Sequence, residues 1–329
     1  MRVLSIDGGG IRGLIPAIVL TAIEERCGKP IAELFDLIAG TSTGGILALA
    51  LTCPSESGGP KFSARELIAF YEEDGPDIFR RSLVRKVLTV DGFLDKRYSN
   101  TALRSSLDSH LGDARLRDAI KPVVITAYDI QRRNAFFFRS ARAAGAEPAS
   151  EPPEAYDFPM AGVALATSAA PTYFEPVELQ SAAGESFALV DGGVFATNPG
   201  MCAYADLRRT GPVGDVEFVS LGTGTQTAVH AIDIRSARRW GQLGWVRPVI
   251  DVMFDGVSDT VEFELTQLLG DRYVRLQTNL TNASEALDDA SPSNMRRLRE
   301  QGEALVQEKS SEIDRLCRAL SQTGPASNR

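Results

Sequence analysis

Short apolar runs of strand length alternate along the chain with longer segments in which apolar residues recur at helical spacing. The strand-like runs are Arg2–Ile6, Val123–Tyr128, Ala135–Arg139, Phe187–Val190, Val216–Leu221 and Arg272–Gln277. The helical segments are Leu14–Arg26, Ala64–Glu73, Tyr98–Leu111, Pro159–Ser168, Met201–Arg209, Arg235–Trp245, Pro248–Leu269 and one continuous helix over Ser293–Leu320. This alternation predicts an α/β fold with a largely parallel central sheet.

A Gly-x-Ser-x-Gly motif lies between two strongly apolar stretches. The run Leu34–Ala39 leads into Gly40-Thr41-Ser42-Thr43-Gly44, and a second apolar run follows as far as Leu51. This pattern is typical of a strand, a sharp turn and a buried helix, with glycines where side chains would collide with neighbouring elements. Such a turn exposes the serine hydroxyl at the strand end, so Ser42 is a candidate nucleophile. A glycine-rich turn that merely contains serine is the alternative.

A second glycine-rich loop, Asp7-Gly8-Gly9-Gly10-Ile11-Arg12-Gly13, follows the first strand. The spacing of Gly8, Gly10 and Gly13 matches the dinucleotide-binding fingerprint. That fingerprint needs an acidic residue at the end of the second strand, whereas Asp36 lies near its start. Consecutive glycines beside a helix N-terminus also let backbone N–H groups converge on an anion. We therefore favour an oxyanion loop, with nucleotide binding and a tight turn as the alternatives.

Composition limits the function classes. The chain has 329 residues and a formal net charge of -8, so it lacks the excess of Lys and Arg that general nucleic-acid binding requires. The four cysteines form no Cys-x-x-Cys pair, which argues against a zinc ribbon and suits a reducing compartment. No leader-like segment precedes the first strand, and no apolar run reaches the length of about 18 residues that a membrane span needs. We therefore expect a cytoplasmic protein whose membrane contact is peripheral.

The base that would activate Ser42 is open between a histidine and a carboxylate. A serine hydroxyl needs a base, usually a histidine held by a carboxylate. The chain has only His110 and His230, and the order Ser42, Asp191, His230 matches that of an α/β-hydrolase triad. The other candidate base is the carboxylate of Asp191-Gly192-Gly193, a turn that ends an apolar strand. Burial would raise the pKa of that carboxylate towards a useful value.

Two surface segments carry further hypotheses. Arg80, Arg81, Arg85 and Lys86 are interleaved with apolar residues, which is consistent with contact to anionic lipid head groups or with a solvated helix face. The segment Ala143–Asp157 is rich in Ala, Pro and Glu. Its composition indicates a surface loop, which is either a plain insertion or a lid over the site.

The chain resembles the patatin-like phospholipases. The resemblance rests first on the motifs at residues 7–13, 40–44 and 191–193, where Asp-Gly-Gly replaces the Asp-Gly-Ala of many members. Further similar segments are Ala166–Phe174, Asn198-Pro199, Ser220–Gly224, Met253–Asp259 and Leu287–Ser291. The likeness runs in order from about residue 1 to about residue 310.

The resemblance implies a three-layer α/β/α fold with Ser42 on a strand–turn–helix elbow. It implies a single domain over residues 1–320, with the motifs in about 1–225, helices in about 226–320 and a polar tail at 321–329. It further implies a Ser42–Asp191 dyad, with the oxyanion held by backbone N–H groups of Gly8–Gly10 and with Arg12 nearby. The glycines that support these motifs are Gly13, Gly40, Gly44, Gly192 and Gly193.

The implied activity is hydrolysis of fatty-acyl esters of membrane glycerophospholipids or galactolipids to free fatty acid and lysolipid. No metal or other cofactor is implied. Some bacterial members of the family are antiviral effectors activated by cyclic nucleotides, and the motifs leave such a small-molecule activator open here. An acyltransferase or thioesterase acting through Ser42 is a further alternative, as is a non-enzymatic nucleotide-binding module built on Gly8–Gly13.

Overall fold

An eight-stranded sheet lies at the centre of the computed structural model, which describes residues 1–80, 98–209, 215–225 and 232–321. Its strands are β1 Arg2–Ile6, β2 Leu37–Thr41, β3 Val123–Asp129, β4 Asn134–Arg139, β5 Val177–Gln180, β6 Ser186–Asp191, β7 Glu217–Leu221 and β8 Tyr273–Leu276. The strand order is β5-β6-β3-β2-β1-β7-β8, and β4 also pairs with β3. Strands β1, β2, β3, β7 and β8 are mutually parallel, whereas β4 and β6 are antiparallel to β3. The prediction of a largely parallel α/β sheet is confirmed.

Helices cover both faces of this sheet. Within the described residues they are α1 Leu14–Cys27, α2 Ile31–Leu34, α3 Thr43–Thr52, α4 Ala64–Ala69, α5 Gly75–Ile78, α6 Asn100–Leu111, α7 Ser140–Ala143, α8 Met160–Thr167, α9 Gly193–Ala196, α10 Gly200–Arg209, α11 Ile234–Ala237, α12 Gln242–Leu269, α13 Pro292–Glu308 and α14 Ser310–Ser321. Short 3₁₀ turns occur at Gly10–Gly13, Leu116–Asp118, Pro153–Tyr156 and Gly270–Arg272, and a π-helical turn at Phe70–Asp74. None of the helices in these ranges is both long and apolar enough to cross a bilayer.

The pleat of the central strands divides the apolar residues between two cores. In β2, Ile38 packs into the core under α1, α3 and α8, whereas Leu37 and Ala39 pack into the core under α10 and α12. This follows from the period of two in a strand, which sends successive side chains to opposite faces. A strand buried on both faces is therefore apolar throughout, as the continuous run before Ser42 indicates.

Two predictions about helices differ from the structure, and one observed strand was not predicted. The helix predicted over Ser293–Leu320 is two helices, because the chain leaves helical geometry at Lys309, with φ -93° and ψ 16°. The break predicted before Pro248 is absent, and this proline lies in the second turn of α12. Strand β5 was not expected, although its residues alternate between buried and exposed as an edge strand requires.

The C-terminal part of the chain contributes to the same sheet and core. Strand β8 pairs in parallel with β7, from Phe218 opposite Tyr273 to Leu221 opposite Leu276. Helix α13 lies against α1, where Gly302 contacts Ile18. The single domain expected over residues 1–320 stays a prediction, but β8 extends the sheet that carries the motifs, and the last two helices pack on α1.

Candidate active site

Ser42 lies between the last residue of β2 and the first residue of α3. Its backbone has φ 55° and ψ -124°, which places a non-glycine residue in a region that L residues rarely adopt. The Ser42 N–H donates to Thr167 Oγ1 at 2.9 Å, and that hydroxyl donates to the Thr126 carbonyl at 2.6 Å. These two hydrogen bonds hold the strained residue between β3 and α8.

The glycines on either side of Ser42 let the elbow form. A Cβ on Gly44 would overlap the carbonyl oxygen of Ile6 in β1, and a Cβ on Gly40 would overlap the carbonyl of Gly44. Helix α3 therefore starts in direct contact with the sheet, and any other residue at either position would push it away. The serine is thus fixed in position by backbone packing.

Asp191 reaches Ser42 because β6 runs opposite to β2 along β3. Thr41, the last residue of β2, pairs with Thr126, and Asp191, the last residue of β6, pairs with the next residue, Ala127. Every residue of β4 pairs with one edge of β3. Strands β2 and β6 therefore share the other edge of β3 and meet end to end. The sequence reasoning placed Asp191 at the end of a strand correctly, but that strand is antiparallel to its neighbour.

Asp191 is 3% exposed, and its carboxylate accepts a backbone hydrogen bond. The Gly193 N–H donates to Oδ1 at 2.7 Å, and the Ser42 hydroxyl is near enough to lower the pKa of the same carboxylate. Burial raises the pKa of Asp191 to about 7, against the opposing effect of these two groups. Gly192 packs directly against Thr126 and so keeps the turn close to β3.

The glycine loop contains two candidate oxyanion donors. Gly9 and Gly10 both line it, and their N–H groups donate no hydrogen bond within the described part of the chain. The Gly8 N–H donates to the Thr197 carbonyl at 2.9 Å. The expectation that Gly8 also serves as an oxyanion donor therefore does not hold, because its N–H is already engaged.

The shape of the loop depends on contacts from distant parts of the chain. Gly10 has φ +57°, and a Cβ there would overlap the Leu287 carbonyl oxygen, which accepts the Ile11 N–H at 2.9 Å. Arg12 Nε donates to the Gly9 carbonyl at 3.3 Å. The backbone of residue 287 thus covers the 3₁₀ turn at which a dinucleotide phosphate would have to bind, so the nucleotide interpretation gains no support. Gly13 packs against Thr43 at the start of α3.

A buried ion pair lies behind the loop. Asp7 Oδ2 receives a hydrogen bond from Arg275 Nη2 at 2.6 Å, and both side chains are almost completely buried. Burial alone would lower the pKa of Arg275, but the adjacent carboxylate outweighs burial and raises it. Arg275 also donates to Ser220 Oγ at 2.8 Å, so β1, β7 and β8 are joined where the loop begins.

These groups surround one cavity of about 220 Å³ that contains Ser42 and Asp191. Its polar end is formed by the glycine loop and the two candidate catalytic side chains. Its apolar wall consists of Ile11, Ile46, Phe70, Ile78, Phe79, Leu103, Phe174, Phe254 and Leu287. A cavity with a few polar groups at one end and an apolar wall suits a long acyl chain with a reactive ester.

Other sequence candidates lie elsewhere. His110 does not line the cavity, and its Nδ1 is 2.9 Å from the Ser106 carbonyl. His230, Arg81, Arg85 and Lys86 lie outside the described residues. Arg80 is exposed and 3.9 Å from Asp77.

No residue of 143–157 lines the cavity, so a lid in that segment is not supported. Among the residues that the structure describes, no group of three or more His, Cys, Asp or Glu side chains could hold a metal ion.

Sequence reasoning missed the residues that support the site. Each of these residues contacts a site residue that is between 41 and 268 positions away in the chain, and they are Thr126, Thr167, Thr197 and Arg275. Thr167 lies in the Ala166–Phe174 segment, so its position was noted but its hydrogen bond to Ser42 was not. No local pattern could have assigned Arg275 to Asp7.

The chain is similar to known patatin-like proteins. A family model described as patatin-like phospholipase matches residues 4–203. Patatin-like protein 2 of Arabidopsis thaliana is 33% identical over 93% of this chain and 83% of its own. Patatin-like protein 2 of Oryza sativa subsp. indica is 33% identical over 95% and 85%. The crystal structure of VipD from Legionella pneumophila aligns with 12% identity and a TM-score of 0.34, covering 93% of this chain and 66% of that chain.

Proposed function

The chain belongs to the patatin-like phospholipase family, and from that premise we propose that it is a phospholipase A-type lipid acyl hydrolase with a Ser42–Asp191 dyad. The observation that carries the proposal is that the Ser42 hydroxyl and the buried Asp191 carboxylate meet in one cavity with an apolar wall. A carboxylate with a pKa near 7 is a suitable general base at neutral pH. The dyad needs no third residue, because the Gly193 N–H already orients Asp191.

The proposed first step is acylation of the serine. Ser42 Oγ attacks the ester carbonyl carbon while Asp191 takes the hydroxyl proton. The N–H groups of Gly9 and Gly10 stabilise the negative charge that develops on the carbonyl oxygen. Collapse of this intermediate breaks the ester bond, and Asp191 returns the proton to the departing lysolipid alcohol. In the second step, water attacks the acyl-enzyme while Asp191 takes a proton from the water. Asp191 then returns the proton to the departing Ser42 Oγ as the fatty acid is released.

The proposed substrate is a membrane glycerolipid, either a glycerophospholipid or a galactolipid. The apolar wall of the cavity suits an acyl chain in polarity, since burying each methylene contributes about 0.8 kcal/mol. The same nucleophile would serve an acyltransferase or a thioesterase, and the identity of the acceptor in the second step separates these activities.

The decisive experiment is product analysis by mass spectrometry with a panel of phospholipids and galactolipids, with and without cyclic nucleotides. Wild-type protein should release free fatty acid and lysolipid, and Ser42→Ala should reduce the rate by about 10⁴-fold or more. A fluorophosphonate probe should label wild type and Ser168→Ala but not Ser42→Ala. Ser168 is a matched control, because it is buried, lines the same cavity and has no hydrogen-bond partner for its hydroxyl among the residues that the structure describes. Labelling that survives Ser42→Ala would contradict the proposal, and transfer of the acyl group to a second lipid would assign an acyltransferase.

A further inference from the structure

We propose that the exposed apolar face of α12, together with three arginines just before it, docks the protein on an anionic phospholipid bilayer. This inference rests on the proposed lipid substrate and names the surface from which that substrate enters. The docking stripe is defined as Trp245, Val249, Val252 and Met253. Each of these side chains is between 39% and 48% exposed.

The four residues of the docking stripe share one side of the helix. Val249, Val252 and Met253 follow Trp245 by four, seven and eight positions. Because successive helical residues are rotated by about 100° around the axis, the four side chains fall within one arc of about 100°. Phe263, which is 66% exposed, lies five helical turns after Trp245 on the same side of the helix. An apolar stripe of this kind on a monomer's surface marks an interaction site.

The opposite side of α12 is held by the fold. Val261 and Leu265 are buried in the core beneath the sheet, and Phe254 and Ser258 line the catalytic cavity. The helix is therefore a fixed element that forms part of the cavity wall on one side and exposes the docking stripe on another. A bilayer that receives the stripe lies beside the cavity that contains Ser42.

The tryptophans favour a lipid surface as the partner. The chain has two, and both lie here, with the rings of Trp240 and Trp245 edge to face and their centroids 5.2 Å apart. Tryptophan concentrates at membrane–water interfaces, because its ring is apolar while its N–H remains hydrated. A stripe of valine and methionine ending in tryptophan is typical of a helix that lies in the interface plane.

Charge selects an anionic surface. Arg235, Arg238 and Arg239 are exposed just before α12, and Arg239 Nε donates to the Arg235 carbonyl at 3.2 Å. The chain as a whole carries a net charge of -8, so a local group of cations is needed to approach an anionic bilayer. The three arginines supply this group next to the apolar stripe.

Binding is tested by sedimentation with vesicles of phosphatidylcholine alone and of phosphatidylcholine with phosphatidylglycerol. All proteins carry Ser42→Ala, so binding is measured without hydrolysis. The triple variant Trp245→Gln, Val252→Gln, Met253→Gln should bind about tenfold or more weakly, because three apolar side chains no longer enter the bilayer. The variant Arg235→Gln, Arg238→Gln, Arg239→Gln should lose the preference for phosphatidylglycerol.

The matched control is Leu268→Gln, which replaces a 53% exposed leucine on the same helix outside the arc of the stripe. It should bind vesicles as wild type does. In proteins with Ser42 restored, the ratio of vesicle hydrolysis to hydrolysis of a water-soluble short-chain ester should fall in the stripe variant about as much as binding does. Circular dichroism checks that each variant is folded, and the arginine variant tests the same surface independently of the apolar replacements.

Wild-type-like vesicle binding by the triple variant overturns the inference. The inference is also overturned if the wild type is a dimer and the triple variant is a monomer that still binds vesicles. The stripe would then be covered by a second copy of the chain. A protein that binds vesicles through α12 but hydrolyses no lipid would refute the proposed function and leave the docking surface standing. A protein that hydrolyses lipid with the docking stripe disabled would refute only the docking surface.

Discussion

Ser42 and Asp191 lie at the tips of two strands that run towards each other along one edge of β3. The residue before Ser42 pairs with Thr126, and Asp191 pairs with Ala127. Two neighbouring positions on one strand thus set the separation of the nucleophile and its proposed base. This geometry requires β6 to run antiparallel to β3. A strand parallel to β3 at the same place would have its last residue at the end that is farther from Ser42.

The rate of ester hydrolysis should depend on pH through Asp191. The base must be ionised, and its pKa of about 7 means that the active fraction falls about tenfold per pH unit below that value. We expect kcat/KM on a soluble ester to rise from pH 5 and to level off above about pH 7. A flat profile between pH 5 and pH 8 would contradict this role.

Histidine variants distinguish the dyad from a triad, which the pH profile alone does not, since histidine titrates in the same range. His110→Ala should leave the rate within about twofold, because its ring contacts the Ser106 carbonyl outside the cavity. His230→Ala should behave likewise if Asp191 is the base. A loss in the His230 variant comparable to that of Ser42→Ala would restore the triad.

Asp191→Asn should stabilise the folded protein while abolishing activity. The pKa of Asp191 is raised on folding from 3.8 to about 7, so the folded state binds the proton more tightly than the unfolded state. Stability is therefore lost as pH rises from about 4 to about 7, by a total on the order of 4 kcal/mol. The neutral amide avoids this cost.

Urea unfolding tests this prediction at pH 5 and pH 8. The advantage of Asp191→Asn over wild type should be larger at pH 8, where the wild-type carboxylate must stay ionised in a buried site. An advantage that is equal at the two pH values, or absent at both, would show that burial does not perturb Asp191 in this way.

Gly10→Ala should impair catalysis far more than Gly28→Ala. Both glycines have positive φ, but a Cβ on Gly10 would overlap the Leu287 carbonyl, whereas the space around Gly28 is open. Gly28→Ala should cost about 1 kcal/mol of stability with normal kcat. Gly10→Ala should displace an oxyanion donor and reduce kcat by about 100-fold to 1,000-fold. A Gly10→Ala protein with normal kcat would remove that residue from the oxyanion site.

Ile46→Phe should change the preference for acyl-chain length. Ile46 lies one turn after Ser42, where its N–H bonds the Ser42 carbonyl, and its side chain lines the cavity. A larger side chain should lower kcat/KM for long-chain esters about tenfold relative to short-chain esters. Leu47→Phe is the matched control, because Leu47 is buried on the same helix outside the cavity. It should lower stability without changing the ratio.

Much of the fold and of the candidate site could be predicted locally. The elbow around Ser42 and the turn at Asp191 are encoded by apolar runs that end in glycine, and such patterns depend on neighbours only a few positions away. The alternation of strands and helices predicted a largely parallel sheet for the same reason. Strand β5 and the break at Lys309 were missed, because a four-residue strand and a single non-helical residue leave too weak a pattern.

Local sequence patterns predict which residues lie at the strand ends and which segments are apolar. The tertiary structure adds the backbone partners, since the Gly8 N–H is engaged by Thr197, whereas the N–H groups of Gly9 and Gly10 donate no hydrogen bond within the described ranges. It alone brought Arg275 to Asp7 across 268 positions and turned the apolar residues of α12 outwards beside the cavity. Hydrogen-bond partners, burial and exposure depend on which distant segments pack together, and no local pattern contains that information.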